Sequence, residues 1–162
     1  MKYSRKLFIF ILILLTIIII SIGLNLYKKP KNIDYTFNSG ILVNNSNGKV
    51  VQKNIKIDLN AKLYKSDFLF KEFKFREDLI GTLTINDKKF KLSTFNLFKG
   101  TSNLFWGDLK LQDNQDSPSY IAFISDDFKT IYLNDDKNNM SIASPANTLS
   151  EFKKIKNHML TK

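Results

Sequence analysis

An uncharged apolar run near the N-terminus constrains this chain more than any other feature of its sequence. From Leu7 to Leu24 no side chain is charged, and Thr16 and Ser21 are the only polar ones. An uncharged stretch of about 18 residues is long enough to cross a bilayer as a helix. Because the backbone must satisfy its own hydrogen bonds in hydrocarbon, a helix is the only structure open to an isolated segment there. The run therefore predicts a transmembrane helix.

Basic and aromatic side chains lie on both sides of this run. They are Lys2, Arg5 and Lys6 before it, and Tyr27, Lys28, Lys29 and Lys31 after it. Such side chains hold a spanning helix in register with the two bilayer interfaces. We therefore predict that these residues are membrane-interface anchors and that the lipid bilayer is a partner of the chain.

The first residues also bear on orientation and processing. A basic start followed by an apolar run is how an export signal begins, which places the tail in the cytoplasm and the domain outside. The basic flanks are nearly balanced, so a cytoplasmic domain is the alternative. Ser21 and Gly23 are small residues two positions apart, and cleavage after Gly23 would release a secreted protein. Because the run exceeds an h-region of about 7 to 15 residues, we favour an uncleaved, single-pass signal anchor in the cell membrane.

Composition assigns the rest of the chain to one domain. The predicted boundaries are a basic tail at 1–6, the anchor at 7–27, a juxtamembrane linker at 28–34 and a β-rich globular domain at 35–162. The chain has 25 basic and 15 acidic side chains, a net charge of +10. Six basic side chains flank the apolar run, which leaves 19 against 15, or +4, for the remainder. A domain so nearly neutral offers no concentrated basic face, and we predict no nucleic-acid partner.

The globular part shows the two-residue hydrophobic period of strands. Its strongest example alternates Ile55, Ile57, Leu59, Ala61 and Leu63 with polar side chains. Aromatic alternation continues through Phe68, Phe70, Phe73 and Phe75; a hairpin is predicted from 81–85 through Asn86 and Asp87 to 89–97; and further strands are predicted at 104–111, 120–125, 129–133 and 140–143. Short strands separated by Asn, Asp, Ser and Gly predict a mainly β fold, an antiparallel β sandwich or small barrel.

A helical pattern is confined to the C-terminal end. Thr148 followed three residues later by Glu151 is a helix-start signature, and it predicts a helix at about 148–160. Leu149, Phe152, Ile155 and Met159 form one apolar stripe at helical spacing. We expect this amphipathic helix to dock on the sheet, with Lys153, Lys154 and Lys156 against anionic lipid or an acidic partner as the alternative.

The residues that could carry chemistry form no recognised motif. The chain has no cysteine, so a disulfide, a thiolate nucleophile and a Cys-ligated metal are excluded. The single histidine, His158, lies in the last turn of the predicted helix, where a cation is favourable without any catalytic role. Glu72 and Glu77 are explained by a wet strand face or a turn, although a carboxylate pair is defined only in space. We predict no catalytic residue and no cofactor.

Two further features have alternative interpretations. One stretch is rich in turn-forming and oxygen-bearing side chains, namely Asp113, Asp116, Asp126, Asp127, Asn134, Asp135, Asp136, Asn138 and Asn139. Its spacing matches no EF-hand loop, so we interpret these residues as turns and predict no metal, with a calcium loop as the alternative. Trp106, the single tryptophan, could fill the core or anchor a partner, and we favour the core.

Three segments carry a resemblance to other proteins. They are FKEFKFREDLIGTLTINDKKF at 70–90, ISDDFKTIYL at 124–133 and SPAN at 144–147. They look similar to small membrane-anchored or exported β-domain proteins of Gram-positive bacteria that have no assigned activity. The resemblance implies an envelope protein, and it supplies no catalytic residue to carry over.

Two classes of function are compatible with the sequence. The first is a non-enzymatic extracytoplasmic module that binds an envelope protein or polymer beside the membrane. The second is an envelope hydrolase that uses dispersed carboxylates, which would need a pocket with two convergent acids. We favour the first because the chain has a tether and a β-domain but no catalytic motif.

Overall fold

The computed structural model describes the backbone of residues 2–27, 29–65, 77–99, 103–111 and 120–160. Side chains are described for 7–22, 29–64, 78–92, 104–111 and 120–160. The chain begins with helix α1, Lys2–Tyr27, and the apolar side chains between Leu7 and Ile22 are exposed along it. Among the residues so described, no helix combines the length and the apolar character needed to cross a membrane.

Ten strands and a second helix follow α1 within the described residues. The strands are β1 Lys31–Phe37, β2 Ile41–Asn44, β3 Lys49–Gln52, β4 Ile57–Lys65, β5 Glu77–Ile85, β6 Lys88–Lys99, β7 Asn103–Leu111, β8 Tyr120–Ser125, β9 Ile131–Asp135 and β10 Met140–Ser144, and helix α2 is Leu149–Leu160. Helix α1 ends three residues before β1 begins, so the first strand starts inside the range 28–34 that the sequence assigns to a linker.

All ten strands form a single sheet in the order β1-β4-β5-β6-β7-β8-β9-β10-β2-β3, with every neighbouring pair antiparallel. The sheet curls into a half-barrel. Of the two architectures left open by the sequence, one curled sheet is closer to the small barrel than to a sandwich, which needs two packed sheets.

A three-residue connection brings the two sides of the curled sheet together. Strand β1 pairs with β4, whereas β2, which follows it after residues 38–40, pairs with β10. The backbone N–H of Ile55 donates to the carbonyl of Gly40 at 2.9 Å, and the N–H of Ala146 donates to the carbonyl of Ser39 at 3.1 Å. Ser39 and Gly40 therefore hydrogen-bond both to the chain entering β4 and to the chain leaving β10.

Two local features explain how β4, β5 and β6 are joined so closely. Gly81 faces Ala61 across the ladder, and a Cβ on Gly81 would lie 2.4 Å from the Cα of Ala61. Only glycine allows that approach. The turn after β5 uses Asn86 and Asp87 at φ of 44° and 69°, which those residue types tolerate. The hairpin predicted at this point is confirmed.

The inward face of the sheet holds the main core, with buried contributions from β1 and from β4 to β10. Its buried members are Ile33, Phe37, Ile55, Ile57, Leu59, Ala61, Leu63, Leu79, Leu83, Ile85, Phe90, Leu92, Phe105, Leu109, Ala122, Ile124, Ile131, Leu133 and Ile142. The alternation predicted around Ile57 and Leu59 is part of it, so that strand is confirmed. Phe128, in the turn after β8, adopts φ of 59° and stacks on Phe105 with ring centroids 5.4 Å apart. A positive φ is costly for a bulky residue, and this stacking contact accompanies it.

Helix α2 packs on the outward face of β9 and β10. Its buried Phe152 and Met159 join a second core with Leu149 and Ile155 partly buried beside them, which confirms the predicted stripe and its docking on the sheet. The helix start is also confirmed. The N–H of Glu151 donates to Thr148 Oγ1 at 3.2 Å, and Glu151 Oε2 accepts from the N–H of Thr148 at 3.3 Å. This reciprocal pair is a capping box.

Most of the predicted strands have a counterpart in the structure, and one predicted segment lies outside the described residues. The predicted strands at 104–111, 120–125 and 140–143 correspond to β7, β8 and β10, and the one at 129–133 corresponds to β9 shifted by about two residues. Strands β2 and β3 lie where the sequence assigned no element. The aromatic alternation from Phe68 to Phe75 lies outside the described residues.

Candidate functional site: the outer wall of the sheet

The interior of the curled sheet is filled by side chains. Ten of the inward-facing residues have no accessible surface at all; they are Ile57, Leu59, Leu79, Leu83, Leu92, Leu109, Ala122, Ile124, Ile131 and Leu133. A side chain with no accessible surface has no water-sized space beside it, as in a close-packed core. A small eight-to-ten-stranded curl can either fill itself or hold a ligand. Around these described residues it fills itself, which leaves the outward face of the sheet as the candidate surface.

Among the described residues, Asp135 is the one buried acidic side chain, and its role is local. Asp135 is 2% exposed at the end of β9, where its carboxylate accepts from the backbone N–H of Asn138 at 3.0 Å and from the Asn138 side chain at 2.7 Å. Burial, with the nearby Asp135 charge as the smaller cause, raises the pKa of Tyr120 above its usual value of 10.0. Tyr120 therefore stays a neutral phenol at physiological pH, and Asp135 stabilises the turn into β10.

The outward face divides into two parts. We call the outward side of β9, β10 and β2 the covered wall, because α2 packs over it. Its residues Ile41, Val43, Tyr132 and Ala143 are buried in the second core. Tyr132 packs edge-on against Phe152 of α2, with ring centroids 6.1 Å apart. The covered wall is therefore part of the stable structure.

A buried polar cluster lies within the covered wall, at Ser141. Its hydroxyl accepts from Tyr132 Oη at 2.9 Å and from Asn45 Nδ2 at 2.7 Å, and it donates to Asn134 Oδ1 at 2.8 Å. These contacts use the one donor and two acceptors of a serine hydroxyl. Tyr132 and Ser141 are both fully buried, and burial raises the pKa of Tyr132. With no base among its partners and no exposure, Ser141 is a structural residue.

We call the outward side of β4 to β6, together with that of β7 from Trp106 onward, the open wall; Leu104 at the start of β7 is buried in the second core. Among the side chains described on this wall, three large apolar or aromatic ones are exposed, namely Trp106 at 48%, Ile80 at 47% and Tyr64 at 38%. The core interpretation of Trp106 is therefore wrong. Trp106 faces Phe123 of β8, which is itself only partly buried. Strand β7 has apolar side chains on both of its faces, and Phe105 and Leu109 occupy the face that points into the core.

The ladder brings these exposed side chains to one end of the open wall. Tyr64 faces Asp78, Asp78 faces Asn96, and Asn96 faces Trp106, so Tyr64 and Trp106 belong to one row across four strands. Ile80 lies in the adjacent row, facing Lys62. Tyr64 and Trp106 are far apart in the sequence, so this arrangement could not be predicted without the strand register.

Lysines occupy the same wall. Lys62 faces Ile80, and Lys91 faces Lys110, and all three lysine side chains are exposed. Like charges directly opposite each other on a sheet are unfavourable unless solvent or a partner offsets them. The acidic side of the wall includes Asp58, whose carboxylate accepts from Thr36 Oγ1 at 2.7 Å and lies 3.0 Å from Lys56 Nζ. The Thr36 hydrogen bond, followed by that to Lys56, lowers the pKa of Asp58 below 3.8.

The other candidates of the sequence lie on several different elements, and only some of them are described. His158 is exposed in the last turn of α2. The Glu77 backbone begins β5, and Glu72 lies outside the described residues, so the explanation of these two side chains by a strand face or a turn stays a prediction. Of the proposed interface anchors, Lys29 and Lys31 have exposed side chains, and the side chains of Lys2, Arg5, Lys6, Tyr27 and Lys28 lie outside the described set.

The acidic and amide side chains between β8 and β10 act within turns. Asp127 accepts from Ser125 Oγ at 2.6 Å and from the N–H of Lys129 at 3.1 Å, and those hydrogen bonds lower its pKa. Asp136 accepts from the Asn134 side chain. Among the described residues, no group of three or more potential metal ligands converges. Asp113 and Asp116 lie outside them.

The fold and surface define a class: a mainly β domain with an N-terminal helix, a packed interior and an exposed aromatic outer wall. No protein-family model, curated protein or solved structure matches this chain.

Proposed function

We propose that this chain is a membrane-anchored, extracytoplasmic and non-enzymatic binding module of the cell envelope that acts through its open wall. The observation that carries this proposal is the contrast between inside and outside. Ten inward side chains have no accessible surface, whereas Trp106, Ile80 and Tyr64 are exposed together on the outside. Exposed aromatic side chains grouped on one surface are typical of interaction sites.

Anchoring is supported by the composition and form of the N-terminal segment. Residues 7–24 are uncharged, and they belong to helix α1, which has 26 residues. The apolar side chains from Leu7 to Ile22 are about half exposed or more, so the domain does not cover them. A row of exposed Leu, Ile and Phe side chains is unfavourable in water and favourable in hydrocarbon.

Membrane extraction tests the anchor. Membranes from cells that produce the full chain are washed with alkaline carbonate, and we expect the protein to stay in the pellet at its full size. In a matched variant, Leu14→Lys with Ile18→Lys puts two charges into the apolar run, and we expect it to move to the soluble fraction. A soluble wild-type product that begins near Leu24 would show cleavage after Gly23 and would contradict the anchor.

Protease treatment of intact spheroplasts tests the orientation. We expect the β-domain to be digested from outside, while a cytoplasmic marker protein is protected. Protection of the domain until the membrane is opened would place it in the cytoplasm and contradict the extracytoplasmic assignment.

A further inference from the structure

We propose that the partner of the open wall is the bilayer itself, with Tyr64, Ile80 and Trp106 seated in the headgroup region around α1. This inference rests on the anchoring proposed above and adds the identity of the surface that the wall contacts. It concerns the lipid interface of the membrane that holds α1, and no second copy of the chain or soluble polymer is needed.

The first step is the position of the exposed side chains relative to the chain entering the domain. Lys31, the first residue of β1, faces Leu63 of β4. Tyr64 is the next residue of β4, and the row from Tyr64 leads across the ladder to Trp106. The exposed aromatics thus lie near the strand ends at which the chain arrives from α1.

The second step is the shortness of the connection. Helix α1 ends at Tyr27 and β1 begins at Lys31, which leaves residues 28–30 between them. The four Cα–Cα steps from Tyr27 to Lys31 span at most about 14 Å when extended. The arriving end of the sheet is therefore held close to the interfacial region, which adds roughly 5 to 8 Å per side to the hydrocarbon.

The third step is the chemistry of the wall. Tryptophan and tyrosine are the side chains enriched at bilayer interfaces, because an apolar ring and a polar group suit that region. Lys62 faces Ile80 with its side chain exposed, so its ammonium can reach lipid phosphates while its stem lies along the apolar surface. Asp78, between the aromatics in the row, has an interaction within the chain. The combination of aromatic, apolar and charged side chains fits a headgroup layer.

The single tryptophan makes the test direct, because all indole fluorescence comes from Trp106. The full-length protein is reconstituted into phosphatidylcholine and phosphatidylglycerol vesicles, with and without bromine on the acyl chains. Bromine quenches indole on contact. We expect Trp106 emission to shift to shorter wavelength on reconstitution, and to lose intensity in the brominated vesicles relative to the unbrominated ones.

A relocated tryptophan is the matched control. Val51 of β3 is 54% exposed, and β3 leads into the Ile57 end of β4, which is the opposite end of that strand from Tyr64. In the variant Trp106→Phe with Val51→Trp, we expect emission that is insensitive to bromine. Equal quenching at both positions, or none at Trp106, would overturn the inference. A blue shift at Trp106 that rises with protein density without bromine quenching would also overturn it, in favour of self-association.

The same samples separate this inference from the proposal on which it rests. Loss of the protein from the vesicles under alkaline extraction would contradict the anchor. Retention in the vesicles with Trp106 insensitive to bromine would leave the anchor in place and reject only the contact between the open wall and lipid.

Discussion

The covered wall and the open wall belong to the same sheet, yet they differ in what their outward side chains do. On the covered wall Tyr132, Ala143 and Ile41 are buried under α2, and the polar Ser141 has every hydrogen-bonding site occupied. On the open wall Trp106 and Ile80 are about half exposed, with exposed lysines beside them. An outward residue therefore contributes to stability where a helix covers it and is available for contacts where none does.

The largest expected effect comes from truncating one aromatic side chain on each wall. Phe152→Ala should lower the free energy of unfolding by about 3 to 5 kcal/mol, because the cavity under α2 cannot be refilled. Trp106→Ala should lower it by less, about 1 to 3 kcal/mol, because only about half of the indole is buried. Urea denaturation of both variants would measure this. Similar losses for the two would show that the open wall is also part of the core.

A smaller effect is expected at the buried hydroxyl cluster. Ser141→Ala should cost about 1 to 3 kcal/mol, because Tyr132 Oη and the side chain of Asn45 lose their shared partner in a buried site. In the double variant with Tyr132→Phe, part of that loss should be absent, since one of the stranded groups is gone. A double-mutant cycle measures this coupling. Strict additivity would show that the two hydroxyls act independently.

The capping box at the start of α2, the helix that packs over the covered wall, should make a moderate contribution to the stability of the domain. Thr148→Ala removes the acceptor of the Glu151 N–H and should lower the free energy of unfolding by about 1 kcal/mol. Ser150 lies two residues after Thr148 and is exposed, so Ser150→Ala is the matched control and should have little effect. Circular dichroism during thermal unfolding compares them. An equal shift in Tm would argue against the capping box as the cause.

The smallest effect is expected from the titration of Asp58 on the open wall, which should make Tm depend on pH. The folded-state pKa of Asp58 is lowered by Thr36 and Lys56, so its contribution to stability is complete above about 3.8 and is lost as pH falls through the lower folded value. Tm measured across acidic pH should fall less steeply in Asp58→Asn than in the wild type. Lys56→Gln keeps the Thr36 hydrogen bond and should retain most of the slope. Identical profiles for Asp58→Asn and the wild type would contradict the assignment.

Local sequence signals predicted the elements whose determinants lie close together in the chain. The Asn86-Asp87 turn, the alternation around Leu59 and the Thr148-Glu151 cap all depend on neighbouring residues, and each is present in the structure. Strands β2 and β3 were missed because each has four residues, too few to show a clear period. Strand β1 was assigned to a linker because Lys31, Asn32 and Asp34 are polar in a short edge strand.

The candidate surface could not be predicted in the same way. Residues 104–111 are apolar in both alternations, so the sequence does not say whether Phe105 or Trp106 faces the core. That choice is made by Leu92 and Ala122, which are buried and face Leu109 and Gly107 from the neighbouring strands. The grouping of Tyr64 with Trp106 likewise depends on three ladders joining four strands.

The sequence by itself determined the mainly β class, the C-terminal helix and the apolar N-terminal segment, because periodicity and charge act over a few neighbouring residues. Only the tertiary structure decided which strands are neighbours, that the sheet curls around a filled interior, and which outward face is left uncovered. Those outcomes depend on the register between residues far apart in the chain, and a shift of one residue would exchange the inward and outward faces of a strand.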